Sequence, residues 1–162
     1  MGRATGPRLP GGLSPDNLLA RRRARYRPAV PTRLDHVAVA VPDLEAALDT
    51  WRDVLGLPEL GQDVVEEQGV RVAFLDVGQA RLELLEPTGP DTPVGRHLAR
   101  RGPGIHHICL RVPDVQAALD ALAARGVRLV DSAPRSGAHG TRVAFVHPKG
   151  TGGVLLELVE GF

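Results

Sequence analysis

Val41-Pro42-Asp43-Leu44-Glu45-Ala46-Ala47-Leu48 returns 71 residues later as Val112-Pro113-Asp114-Val115-Gln116-Ala117-Ala118-Leu119. The surroundings of the two copies repeat as well. Ahead of the first, Val37, Val39 and Val41 alternate with His36, Ala38 and Ala40, the period-two pattern of a strand from Leu34 to Val41. Pro42-Asp43 then opens a helix with Asp43 as its N-cap, because a carboxylate there accepts from the free first-turn amides. Leu44, Ala47, Leu48, Trp51 and Leu55 keep helical spacing until Gly56 stops it. Strands are predicted at about 60–66, 70–77 and 80–86, the last two joined by a turn at Gly78-Gln79. A connector from Pro87 to Pro93 leads to a short helix over Val94 to Arg101. The second half repeats the order: a strand from Ile105 to Val112, a helix capped by Asp114 and ended by Gly126, then strands at about 127–131, 141–147 and 153–159. The pattern predicts an α+β fold of two tandem βαβββ modules, about 34–95 and 104–162.

The duplication also repeats chemistry. At the same offset His36 falls on His107, and late in each half a glutamate sits inside an apolar strand, Glu83 between Leu82 and Leu84, Glu157 between Leu156 and Leu158. An ionised carboxylate among leucines is costly unless it is paired or bound to a metal. Two at equivalent positions, each matched by a histidine, call for one shared explanation. A divalent metal held by His36, Glu83, His107 and Glu157 supplies it, imidazole and carboxylate being suitable ligands for Mg, Mn, Co, Ni, Zn or Fe(II). By strand parity His36 shares a face with Ala38 and Ala40. His107 shares one with Cys109 and Arg111, and His106 belongs to the opposite face.

Composition sets bounds. The 162 residues are 43% hydrophobic but only 3% aromatic, so the core must be aliphatic. Cys109 is the single cysteine, which excludes an intrachain disulfide framework and fits a reducing compartment. No apolar run is long enough to span a membrane. The net charge of +1 hides an asymmetry: residues 1–33 hold eight arginines and one acid, whereas 34–162 hold twelve basic and eighteen acidic residues. Residues 1–33 are expected to be a disordered basic extension outside the domain at 34–162. A nucleic-acid tail and a mitochondrial presequence are the functional readings of its arginines. Nucleic-acid binding is not expected, since Tyr26 is the only aromatic there to stack on a base. The Gly-rich loops at 136–140 and 148–153 lack the spacing of phosphate-binding loops.

These features resemble the vicinal oxygen chelate superfamily and, within it, the methylmalonyl-CoA epimerase family. The resemblance covers residues 34–160. It is carried by Leu34-Asp35-His36-Val37-Ala38-Val39, Glu67-Gln68-Gly69-Val70, Leu84-Leu85-Glu86-Pro87 and Gly104-Ile105-His106-His107-Ile108, and further on by Gly137-Ala138-His139-Gly140, His147-Pro148-Lys149 and Gly152-Gly153-Val154-Leu155-Leu156-Glu157-Leu158. It implies a cup-shaped mixed sheet around a metal, Co(II) favoured with Mn, Mg, Ni or Zn as options, and a reaction that removes and returns the proton at C2 of methylmalonyl-CoA through an enolate. It implies that Glu157 is both ligand and acid/base, and points to a homodimer. Some family members carry a second catalytic glutamate where this chain has Val72, and a hydrocarbon cannot move a proton. Glu83 and Glu67 are the acidic candidates for that role. His139 and Lys149 are candidates for contact with substrate, Lys149 through a CoA phosphate. Cys109 is expected to be a buried, inert thiol. Two other readings share the frame: a glyoxalase I-type lyase and a metal-free small-molecule binding module. The expected location is the cytoplasm, or the mitochondrial matrix if the arginine-rich start is a presequence.

Overall fold

The computed structural model describes residues 33–161; the expected basic extension lies outside them except for Arg33, which begins the first strand. One eight-stranded sheet runs in the order β2-β3-β4-β1-β5-β8-β7-β6. The first module supplies β1 (Arg33–Ala40), β2 (Glu59–Val65), β3 (Val70–Asp76) and β4 (Arg81–Pro87); the second supplies β5 (Gly104–Val112), β6 (Arg135–Ser136), β7 (Arg142–Val146) and β8 (Leu156–Glu160). Each module's first strand lies parallel to its last, with Ala38 opposite Glu83 and Cys109 opposite Glu157. In both, the residue two beyond the repeated histidine faces the repeated glutamate, so the sequence repeat is a repeat of register. The modules join where β1 and β5 pair antiparallel.

The helices form where the sequence starts and stops them. Asp43 accepts from the amide of Ala46 to cap α1 (Leu44–Leu48), and Asp114 accepts from that of Ala117 to cap α3 (Val115–Ala123). Gly56 and Gly126 follow in the left-handed region, which a residue without Cβ enters freely. Past Leu48 the first helix continues to Val54 as π-helix, with Leu55 N–H reaching back to Thr50 O. Thr92 caps α2 (Pro93–Arg101).

The parity of the strands separates two apolar layers. Val37 and Val39 turn outward to pack with Leu44, Leu48, Leu75 and Leu84 under α1, and α3 covers the matching patch of Val112, Leu119, Ala144 and Leu158. Fully burying one such leucine contributes about 1.5–3 kcal/mol. Ala38 and Ala40 turn inward instead, toward Val72, Phe74 and Leu85.

The strand expected at 127–131 is not there. Leu129 makes one bridge to Val146, and the module's edge resumes only as the two residues of β6. The amides of Val130 and Asp131 both turn to the carbonyl of Phe145, while the Asp131 carboxylate accepts from the Phe145 amide. A doubled contact of this kind uses up the ladder positions, so apolar alternation there did not translate into pairing. No helix among the described residues is long and apolar enough to cross a membrane.

Candidate metal centre and its cavities

His36 and His107 stand on the two strands that join the halves, their Nε2 atoms 3.2 Å apart. Glu157 on β8 brings Oε2 to 3.0 Å from His36 Nε2 and 2.9 Å from His107 Nε2. All three residues are buried. Three converging, buried nitrogen and oxygen donors fit a divalent metal of borderline or harder character. Glu83 is buried too, but the structure does not bring it to that point: its Oε1 lies 3.1 Å from the other ring nitrogen, His36 Nδ1, with Arg81 beyond it. Three of the four expected ligands therefore converge, and the fourth stands behind one of them.

What lies behind each histidine comes from a feature that alternation could not reveal. The β1–β5 register slips twice, leaving Asp35 unopposed just before His36 and His106 unopposed just before His107. Each bulge turns the preceding side chain onto the ring that follows. Asp35 Oδ1 lies 3.0 Å from His36 Nδ1, and His106 Nδ1 lies 2.9 Å from His107 Nδ1. With the protons on Nδ1, both Nε2 lone pairs are free to face the shared point. Asp35, Arg81 and Arg111 were missed from the sequence, although the 71-residue offset that relates the histidines also relates Asp35 to His106. The opposite-face placement of His106 needs correction: the bulge rotates it into ring contact with both His107 and His97.

Electrostatics divide the two carboxylates. Burial alone would raise Glu157, but its hydrogen bonds to His107 and His36 outweigh that and lower it to about 2. Burial dominates at Glu83, supported by the charge of Glu157, and pushes it up to about 7 against the pull of His36. Burial also works against charge on His36, yet Asp35, Glu157 and Glu83 raise it to about 9. Asp35 stays well below the usual carboxylate range despite its burial, because His36, Arg81 and Arg111 all bond it, Arg111 Nε at 2.8 Å. His106 is lowered to about 3 by burial and by its histidine neighbours, so it stays neutral and able to accept. Burial and the nearby carboxylates push the Cys109 thiol up, and it stays protonated and unreactive.

The donors open on a cup of about 230 Å³, whose apolar wall includes Val72, Phe74, Leu85, Val143 and Val159. Val72 thus occupies the wall where a second base was sought. Glu67 does not reach it; it is exposed on a turn and faces a shallow outer groove, while its neighbour Gln68 lines the cup. His139 stands at the cup's rim with φ of 53°, its amide bonded to Asp63 and its ring 4.8 Å from Phe74. Lys149 is exposed and lines none of the cavities described here, its amide bonded to His147 Nδ1.

Residues 35–145 match the family model of the Glyoxalase/Bleomycin resistance protein/Dioxygenase superfamily. The ethylmalonyl-CoA/methylmalonyl-CoA epimerase of Cereibacter sphaeroides is 46% identical over 131 residues, covering 79% of this chain and 97% of that protein. The mitochondrial methylmalonyl-CoA epimerase of Mus musculus is 44% identical over 129 residues, covering 79% and 72%. Among solved structures, Streptomyces coelicolor methylmalonyl-CoA epimerase in complex with 2-nitronate-propionyl-CoA superposes with a TM-score of 0.78 at 41% identity, over 82% of this chain and 99% of that one.

Proposed function

This chain belongs to the Glyoxalase/Bleomycin resistance protein/Dioxygenase superfamily, and on that footing we propose that it interconverts the two C2 epimers of methylmalonyl-CoA. The observation that carries the reading is the meeting of His36, His107 and Glu157 at the floor of a cup with apolar walls. The C2 proton of such a thioester is acidic only if the enolate oxygen left behind is stabilised. A divalent metal on these residues, with Glu83 as the fourth candidate ligand, would stabilise that oxygen and orient the substrate. Co(II) is the favoured ion, with Mn, Mg, Ni or Zn as the other options.

The chain's own part is to move the proton. Glu157, ionised at neutral pH, is the base. Epimerisation also needs a donor for the other face of the planar enolate, and Val72 provides none. Glu83 is another buried carboxylate that lines the cup, and in the metal-free protein burial raises its pKa to about 7, so it is the proposed group for returning a proton. Glu67 stands too far outside to take that part. His139 at the rim is proposed to touch the acyl end of the substrate, and exposed Lys149 a CoA phosphate.

Solvent deuterium incorporation at C2 of methylmalonyl-CoA tests the proposal. Metal-stripped protein should be inactive, and added Co(II) should restore exchange and epimerisation together. Glu157→Gln should lower both by about 10²–10⁴-fold, the span for removing a positioned acid/base group. Absence of exchange in every metal form would reject the reading and favour the lyase or binding alternatives. The proposal extends to a homodimer, for which exposed Val54, Leu55 and Leu60 are the apolar material near the β2 edge. It places the protein in the cytoplasm, where the free Cys109 fits, or in the mitochondrial matrix if residues 1–33 direct it there.

A further inference from the structure

The duplication that repeats the ligands also repeats what stands beside them. In the first module Phe74 lies opposite Glu83, and Val72, two residues earlier on the same face, lies opposite Leu85. In the second Phe145 lies opposite Glu157, and Val143 lies opposite Val159. Val143 falls 71 residues after Val72, and Leu85 and Val159 each stand two residues past their module's glutamate. The layer under each pair repeats as well. Ala38 shares an apolar cluster with Val72 and Leu85, and Cys109, its counterpart at the same offset, shares one with Val143 and Val159. All four wall residues are buried and line the cup.

The two apolar pairs sit at opposite corners of the cup. β4 and β8 flank the central β1 and β5, with β3 and β7 beyond them, so each wall carries one pair. Because β1 and β5 are antiparallel, the pairs also sit at opposite ends of these strands. Leu85 is level with Ala40 at the end of β1, whereas Val159 is level with Arg111, whose partner is Arg33 at the start of β1. His36, and Ala38 opposite His107, lie between those levels. The corners are unequal. Around Val72 the apolar surface continues through Val65 and Val70. The cluster around Val143 holds only Cys109 and Val159 beside it. Thr141, two residues before Val143, and Arg111, opposite Val159, are polar. Val143 is also backed closely: a Cβ at Gly137 would meet its Cγ1 at 2.7 Å.

An epimerase must receive its substrate in two shapes. While the thioester and carboxylate of an α-alkyl malonyl thioester keep their places, inversion at C2 exchanges the sides taken by the proton and the alkyl group. Each epimer then needs apolar space on the side away from its own proton, since an alkyl group gains by leaving water only where apolar atoms receive it. We propose that the two corners are two alkyl pockets, one for each epimer, and that Val72 and Val143 read the alkyl group. The inference rests on the epimerase reading. The epimer whose proton faces Glu157 places its alkyl group against Val72 and Leu85. The epimer whose proton faces Glu83 places it against Val143 and Val159. A hydrocarbon at position 72, useless for moving a proton, is what such a wall requires.

The test fills one corner at a time. Val72→Leu and Val143→Leu each add a methylene to one wall, and KM is measured for each separate C2 epimer of methylmalonyl-CoA with the Co(II)-loaded enzyme. The equilibrium between the epimers fixes the ratio of their kcat/KM values in every variant, so the quantity to read is the ratio of the two KM values, with kcat moving in step. One variant should raise that ratio and the other lower it, each by about tenfold, the effect of one misplaced methylene in an apolar pocket. General loosening of the site weakens both epimers alike and leaves the ratio in place. A ratio unchanged in both variants, or moved in the same direction by both, overturns the proposal. Val72→Ala and Val143→Ala, which add no bulk, form a second pair: with the α-ethyl homologue each should lower KM for one epimer, and not the same one. Wild type that epimerises neither compound defeats the epimerase reading on its own. The epimers then stay separate, and calorimetry with each gives the same ratio from dissociation constants. Opposite shifts in the two Leu variants support the two corners there too, whereas like shifts, or no binding of either epimer by wild type, overturn them.

Discussion

The two halves of the sheet place a histidine, a glutamate and a bulge at matching positions, yet they surround them differently. In the first half, Asp35 backs the histidine and is itself held by Arg81 and Arg111; in the second, the neutral ring of His106 does so. In the first half the glutamate stands behind its histidine, where burial raises its pKa; in the second it stands in front, bonded by both rings, which lower its pKa. Duplication thus fixes where the backbone delivers a side chain, and unlike neighbours drawn from both halves set its protonation. A symmetric frame with unlike carboxylates is what an epimerase requires, since it takes a proton from one face and returns it to the other.

The largest expected effect breaks the glutamates apart. Glu83→Gln keeps an oxygen that can face a metal but has no proton to give, so it should retain bound Co(II) while epimerisation falls by about 10²-fold or more. Glu157→Gln should lose both metal occupancy and deuterium exchange. Metal content and C2 exchange measured on the same preparations decide the matter; identical behaviour of the two variants would erase the distinction between the halves.

A smaller effect separates the residues behind the histidines. Asp35→Asn weakens the orientation of His36 and should cost about 10–100-fold in Co(II) affinity, the usual range for a partner behind a ligand. His106→Phe removes a neutral acceptor and should cost less. The pH dependence carries the sign. Metal binding requires neutral His36, and the folded metal-free protein raises that group to about 9, so affinity should climb as pH rises toward 9. Removing the Asp35 charge lowers the proton affinity of His36 and leaves Arg81 and Arg111 less compensated. In Asp35→Asn the plateau affinity should therefore fall while the half-point of the pH curve moves down. A half-point that stays put would show that Asp35 acts on packing alone.

Most of this frame was legible in the sequence because its signals are local. Val-Pro-Asp starts each helix, Gly56 and Gly126 end them, and alternation sorts Ala38 and Ala40 from Val37 and Val39. The histidines and glutamates were found through the repeat. Asp35 and His106 were hidden because a bulge depends on how β1 slides against β5, a contact between residues about 70 apart in the chain, and parity counted along one strand cannot register it. The missing strand at 127–131 has the same origin: whether Leu129 pairs depends on how the Asp131 carboxylate meets β7. Glu67 was sought because it is acidic and near Val72 in sequence, but the turn at 66–68 leaves it outside the cup.

The smallest effect asks whether the halves, unlike in chemistry, remain alike in folding. Asp43 and Asp114 cap their helices with nearly the same backbone geometry, φ and ψ of −147° and 117° against −149° and 116°, and accept from the third residue on at 3.0 and 2.9 Å. Each change to Ala should therefore cost about 1 kcal/mol in urea unfolding, with the two values equal within about 0.5 kcal/mol. The sites lie in separate modules and share no partner, so the double variant should lose close to the sum. Because β1 and β5 join the modules in one continuous sheet, both losses should appear in a single transition with an unchanged slope. A second transition in either variant would mean that the modules unfold separately, and then the metal centre on their shared strands would be the main tie between them.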